Sequence, residues 1–146
     1  MDRIEGFGLY LDLTLKKIAE TYINVFKDQN IDLTVEQFVI LQRIELMGAD
    51  ASQKDIVATN FRNRATTSRV ISGLCKKEFV MKEHFKGDLK RFKLVLTPKG
   101  KKELNKARPH IQKLRELSKK NIDEKDFQNM LVVLEKIRKN YDEFSL

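Results

Sequence analysis

From the N-terminus, Ile4, Phe7, Leu11, Ile18, Tyr22 and Phe26 recur at helical spacing, while Leu9, Leu13 and Ile23 add a second apolar stripe. A helix with two such stripes has more hydrophobic surface than one neighbour covers. Asn30-Ile31-Asp32 ends it. Thr34-Val35-Glu36-Gln37 then has the spacing of a capping box, a hydroxyl followed three residues later by a side-chain amide, and predicts a second helix through Phe38, Leu41, Ile44 and Leu46. Gly48-Ala49-Asp50 closes that helix, and Ser52-Gln53-Lys54-Asp55 opens a short third one through Ile56 and Val57.

Asn63 is placed to cap a fourth helix running to Lys77, with Val70, Ile71 and Leu74 inward and Arg64, Thr66, Thr67, Ser68 and Arg69 crowded into its first turns. Phe79 to Phe85 and Lys90 to Leu96 are strand-like, the second alternating Phe92, Leu94 and Leu96 against Arg91, Lys93 and Val95. Lys86-Gly87-Asp88-Leu89 makes the hairpin tip. Thr97-Pro98 opens a fifth helix, with proline where a missing N–H costs nothing, and Leu104, Ala107, Ile111 and Leu114 form its inner face. Pro109 falls inside this helix and predicts a kink. Asp123 caps a sixth helix, whose stripe is Phe127, Met130, Leu131, Leu134, Ile137, Tyr141 and Phe144. The fold class expected is mainly α with a small β-hairpin wing, and a length of 146 residues points to a single domain.

Charge sharpens this picture by its location. The chain carries +8 overall, yet residues 62–102 hold thirteen Lys and Arg against three acids, a local net of +10, and the remainder sums to −2. A basic block confined to one segment is the footprint of a polyanion-binding surface. A short helix, a tight connection, a basic and hydroxyl-rich helix and a basic hairpin are the parts of a winged helix-turn-helix. The major groove of DNA admits one helix, so Asn63, Arg64, Thr66, Thr67, Ser68 and Arg69 are candidate base- and phosphate-contacting groups. Lys86, Lys90 and Arg91 on the hairpin can track the backbone or reach the minor groove, and Ser52, Gln53 and Lys54 are placed to hold phosphate. Lys76 and Lys77 read as backbone-facing or solvent charges.

Other classes recede. No apolar run approaches the roughly 20 residues that span a bilayer, and Met1 to Glu5 lacks a signal peptide's apolar stretch, so the expectation is a cytoplasmic protein with no membrane partner. Cys75 stands alone, and His84 and His110 have no ligand-spaced companions, so no disulfide or metal site is expected. Gly6-Phe7-Gly8 lacks the strand and third glycine of a nucleotide loop. No catalytic constellation can be singled out; the expectation is a non-enzyme without cofactor.

With those parts in order, the chain resembles the multiple-antibiotic-resistance regulator (MarR) family. Leu33 to Leu41 is similar to that family's second-helix opening, Ser52 to Val57 to its first helix-turn-helix helix, Thr66 to Ile71 with Leu74 and Lys76-Lys77 to its recognition helix, and Asp88 with Leu96-Thr97-Pro98-Lys99-Gly100 to its wing and exit. The resemblance implies a winged helix-turn-helix over 33–97 and a helical dimerisation region over 1–29 and 98–146. It also implies a homodimeric regulator of double-stranded DNA, a repressor on a pseudopalindromic operator released by a small aromatic effector. The excess apolar surface of the first and last helices independently supports a dimer. Tyr10, Tyr22 and Phe38 are candidates for the effector cavity, or else ordinary core aromatics. Cys75 is the one residue that could act as a redox sensor, though packing beside Leu74 is the simpler reading. Two positions depart from the family: Lys90 stands two residues after the wing Asp where Arg is usual, and Glu78 follows the recognition helix where Gly is usual. The competing reading is a winged-helix protein-interaction module without specific DNA binding.

Overall fold

A computed structural model describes residues 6–59 and 63–145; Ile4 of the first stripe and Arg62 of the basic block lie outside them. The elements are α1 (Phe7–Asp28), α2 (Val35–Met47), a 3-10 turn (Gly48–Asp50), α3 (Gln53–Thr59), α4 (Arg64–Lys76), β1 (Val80–Phe85), β2 (Asp88–Leu96), α5 (Pro98–Ser118) and α6 (Glu124–Asp142). The sequence thus forms the expected order of helices around one hairpin. Among the described residues, no helix is long and apolar enough to cross a membrane. Two compact units divide the chain, Met1–His110 and Ile111–Leu146.

In the first unit, local signals start the helices where the side chains can satisfy free backbone N–H groups. Thr34 accepts from the Gln37 N–H at 3.1 Å, and Gln37 Oε1 accepts from the Thr34 N–H at 3.0 Å, completing the capping box of α2. Asn63 Oδ1 accepts from the Thr66 N–H at 2.8 Å and caps α4. The Thr97 hydroxyl accepts from the Gly100 N–H at 3.0 Å and donates to the Glu78 carbonyl at 2.7 Å, so one side chain starts α5 and holds the turn before β1. Pro98 takes the first position of α5, and Pro109 lies inside the helix, which continues to Ser118.

Phe38, Ile40, Leu41 and Ile44 of α2 are buried around the helix, which makes α2 the centre of the core. It packs against α3, α4 and β2, while α4 packs against β1. Ile56, Ile71, Leu74, Val80 and Leu94 fill the space between these elements. Burial of such side chains is worth about 1.5–3 kcal/mol each. Leu104 and Ala107 of α5 are fully buried, as their helical spacing predicts. The hairpin is antiparallel, with Val80 opposite Leu96 and His84 opposite Phe92. Ala51 and Ser52 extend it locally: the Leu94 N–H donates to the Ala51 carbonyl at 2.8 Å, and Ser52 bridges to Lys93. The wing root is thereby hydrogen-bonded to the residues that open α3. Along α1 only Phe26 is buried, and Leu13, Leu15 and Ile23 are exposed.

The second unit contains the end of α5 and all of α6. Asp123 Oδ1 accepts from the Lys125 N–H at 2.8 Å and caps α6. The Lys119 ammonium lies 5.0 Å from the Phe127 ring centroid. None of the α6 residues is buried, and Met130, Leu131, Tyr141 and Phe144 of its stripe are exposed.

Candidate nucleic-acid interface

Three segments remote in sequence meet in one open groove of about 370 Å³. Ser52, Gln53, Lys54 and Val57 come from the start of α3 and the residue before it, Arg64 and Ser68 from the first turns of α4, and Lys82, Lys90, Arg91 and Phe92 from the hairpin. Among the described residues, five cationic side chains line it and no carboxylate does. Like charges held on one concave surface repel each other, and a polyanion relieves that repulsion while releasing its own counterions.

Each segment is set by its own local structure. Ser52 accepts from the Asp55 N–H at 3.0 Å and is 2% exposed, so its hydroxyl caps α3 from beneath and leaves Gln53 and Lys54 as the outward groups. Ser52 itself still lines the groove, as the sequence leads one to expect, with little of its surface exposed. Thr67 instead turns inward, against the expectation that it contacts DNA: it is fully buried in phase with Ile71 and Leu74, and its hydroxyl donates to the Asn63 carbonyl at 3.0 Å. Its position on the apolar stripe, three and four residues from Val70 and Ile71, foretells this. Asn63 serves as the cap, and Thr66 is half-buried. Arg69 is exposed on the side of α4 away from Thr67, with Nε donating to the Ala65 carbonyl at 3.4 Å.

The hairpin turns at Lys86-Gly87, where Gly87 has a φ of 79° that a side chain would strain. Lys86 is exposed there, outside the groove. Register runs from His84 opposite Phe92 directly to Phe85 opposite Asp88, which leaves Leu89, Lys90 and Arg91 of β2 without partners in the ladder. Such a bulge re-aims side chains. Lys90 and Arg91 both face the groove, and the Arg91 guanidinium sits 4.5 Å from the Phe85 ring centroid. Asp88 acts within the wing: its Oδ1 accepts from the Lys90 N–H at 3.0 Å and orients the bulge.

Lys82, Val57 and Phe92 join the groove without having been singled out from the sequence. A signal for Lys82 was present. It lies in phase with buried Val80 and opposite Leu94, hence on the face of the hairpin that turns toward the helices. Lys93 occupies the other face and pairs with Glu83 at 3.6 Å.

The effector candidates are dispersed in role. Phe38 is 1% exposed and belongs to the core, Tyr22 makes a tilted ring contact with Phe26, and Tyr10 is 47% exposed. Burial pushes the Cys75 thiol above its ordinary range, with the Lys82 charge pulling the other way by less. A raised thiol has little thiolate at neutral pH, the opposite of what a sensor cysteine needs.

Residues 33–92 match the model of the MarR family. No curated protein matches the sequence. Solved structures of the same fold include MepR of S. aureus in complex with DNA, 18% identical over 92% of this chain and 97% of that one, with a TM-score of 0.82. A MarR/EmrR family transcriptional regulator from Acinetobacter sp. ADP1 is 14% identical over 99% and 100% of the two chains, with a TM-score of 0.80. BpsR of Bordetella bronchiseptica, whose DNA binding is regulated by 6-hydroxynicotinic acid, is 21% identical over 87% and 91%, with a TM-score of 0.69. The match to the MarR family model is confined to segment 33–92, and the described elements share the fold of these solved structures.

Proposed function

We propose that this protein is a sequence-specific, double-stranded-DNA-binding transcription regulator that works as a homodimer on a pseudopalindromic site. The observation that carries this reading is the convergence of Lys54, Arg64, Lys82, Lys90 and Arg91, from three separate segments, on one groove beside the exposed side of α4. In this reading α4 enters the major groove, Arg69 and Ser68 address base edges, and the wing and the start of α3 hold the flanking phosphates. Two recognition helices related by a two-fold axis require half-sites about one helical turn apart. MepR has been solved with DNA, which supports the duplex as partner. The regulation of BpsR's DNA binding by 6-hydroxynicotinic acid supports control by a small aromatic effector, which in this reading releases a repressor. Such an effector must favour a dimer shape with the wrong separation of the recognition helices, since equal affinity for both shapes shifts nothing.

Equilibrium binding to duplex DNA over a range of salt tests the proposal. Several phosphate contacts demand a steep linear fall of log K with log salt, about 0.9 units per phosphate neutralised. A flat dependence would favour a winged-helix module that binds protein instead.

A further inference from the structure

Lys77 follows the last residue of α4, and a lysine at the end of a basic helix reads as one more charge for a polyanion. Its surroundings give it other work. Nζ donates to the Asp32 carbonyl at 3.0 Å and to Gln37 Oε1 at 3.0 Å, and it stands 3.0 Å from Asp32 Oδ1. Three oxygens thus surround an ammonium that has three hydrogens to give. Gln37 is itself 8% exposed, and its Oε1 also accepts from the Thr34 N–H at 3.0 Å. The end of α4 is therefore tied to the connection between α1 and α2. That connection is held a second time by α5: Glu103 Oε1 accepts from the Asp32 N–H at 2.7 Å, and the Lys106 ammonium donates to the Asn30 carbonyl at 2.5 Å.

We propose that Lys77 is a positioning residue for duplex recognition, anchoring the C-terminal end of α4 to residues 30–34 and so setting the angle at which the far end of the helix meets DNA. This rests on the DNA-binding reading above. The thirteen residues of α4 span about 20 Å, so a tilt of about 5° at Lys77 displaces Arg64 by nearly 2 Å and the proposed base-reading Ser68 and Arg69 by about 1 Å on that geometry. A displacement of that size breaks hydrogen bonds to base edges, which tolerate a few tenths of an ångström. Attraction to phosphate, acting over roughly 8–10 Å in physiological salt, hardly changes. Loss of the anchor must therefore fall on specificity.

The test compares wild type with Lys77→Met, which keeps the aliphatic stem, on two probes: a duplex selected by the wild-type protein from a random pool, and a scrambled duplex of equal length. The expected result is about a tenfold weaker hold on the selected duplex, less than about a twofold change on the scrambled one, and an unaltered salt slope. Equal loss on both probes with a slope shallower by about one would make Lys77 an ordinary phosphate contact and overturn the proposal. So would no loss at all. Asp32→Asn supplies a second variant whose sign is diagnostic. Removing a negative charge should tighten any purely electrostatic complex, whereas a weakened anchor lowers the selected-to-scrambled ratio; a ratio left unchanged or raised counts against the anchor. Amide hydrogen exchange at Lys77, Glu78 and Phe79 reads the anchor without DNA, and faster exchange in Lys77→Met than in wild type is expected. Should wild type bind neither probe, the DNA-binding reading fails, and unchanged exchange at these three amides would remove the anchor separately.

Discussion

Glu78 adopts a left-handed backbone, with φ of 62°, at the position where α4 must reverse into β1. Its N–H donates to the Cys75 carbonyl at 3.0 Å and the Phe79 N–H to the Leu74 carbonyl at 3.0 Å, so the helix end is closed in the manner a glycine usually provides. A side chain there costs about 1–2 kcal/mol, and glycine returns about 0.5–1 kcal/mol of that through its freer unfolded state. Lys99 pairs with Glu78 at 3.8 Å across exposed side chains, a contact of little weight. Glu78→Gly should therefore raise stability by up to about 1.5 kcal/mol on these figures, read as a higher denaturant midpoint at unchanged m-value. The absence of glycine was visible in the sequence; that the backbone nonetheless takes the glycine conformation was not, because the Thr97 hydroxyl donating to the Glu78 carbonyl comes from 19 residues away.

At the scale of elements, the proposed function divides the work of binding between α4 and the wing. Arg69 is exposed on the outward side of α4, and Lys82 faces the groove from β1. Arg69→Ala should cost on the order of 1–3 kcal/mol on a selected duplex and little on random sequence, as expected of a base-reading arginine. Lys82→Ala should weaken both alike and make the salt slope shallower by about one. Parallel titrations on the two probes check that division, and indistinguishable profiles for the two variants would refute it. The junction of α5 with the wing is equally constrained. A Cβ on Gly100 would stand 2.2 Å from the Phe79 carbonyl oxygen and 3.0 Å from Leu96 Cδ1, and the first of these is backbone that cannot swing aside. Gly100→Ala should destabilise by about 3 kcal/mol, the upper range for overpacking, while Gly8→Ala, with nothing within 4 Å of its Cβ, should not. Thermal unfolding of the two variants measures the contrast.

At the scale of the whole molecule, the outstanding feature among the described residues is exposed apolar surface on α1 and on α6. Leu15 and Ile23 on α1 are 66% and 62% exposed, and α6 in the second unit buries none of its residues. Scattered exposed leucines are ordinary; stripes sustained along two long helices are not. The proposed homodimer gives them a partner. Leu15→Glu would be harmless to a monomer, since the side chain already meets water. In a dimer it should shift the sedimenting species toward monomer and weaken binding to a two-half-site duplex. An unchanged sedimentation coefficient would exclude α1 from the interface.

Local chemistry was legible in the sequence alone. The caps at Thr34, Asn63 and Asp123 and the Thr97-Pro98 start of α5 act over two or three residues, so residue type and spacing determine them before any tertiary contact forms. The basic block, the helix order and the hairpin followed from composition and periodicity in the same way. What tertiary structure decided was the assignment of like residues to unlike roles. Thr67 turned inward, while Lys82 and Phe92 entered the groove. Lys77, one basic residue among thirteen in its segment, was taken by Gln37 from 40 residues away. Sequence counts charges and hydroxyls; only the packing of distant segments determines which of them are already satisfied and which remain for a partner.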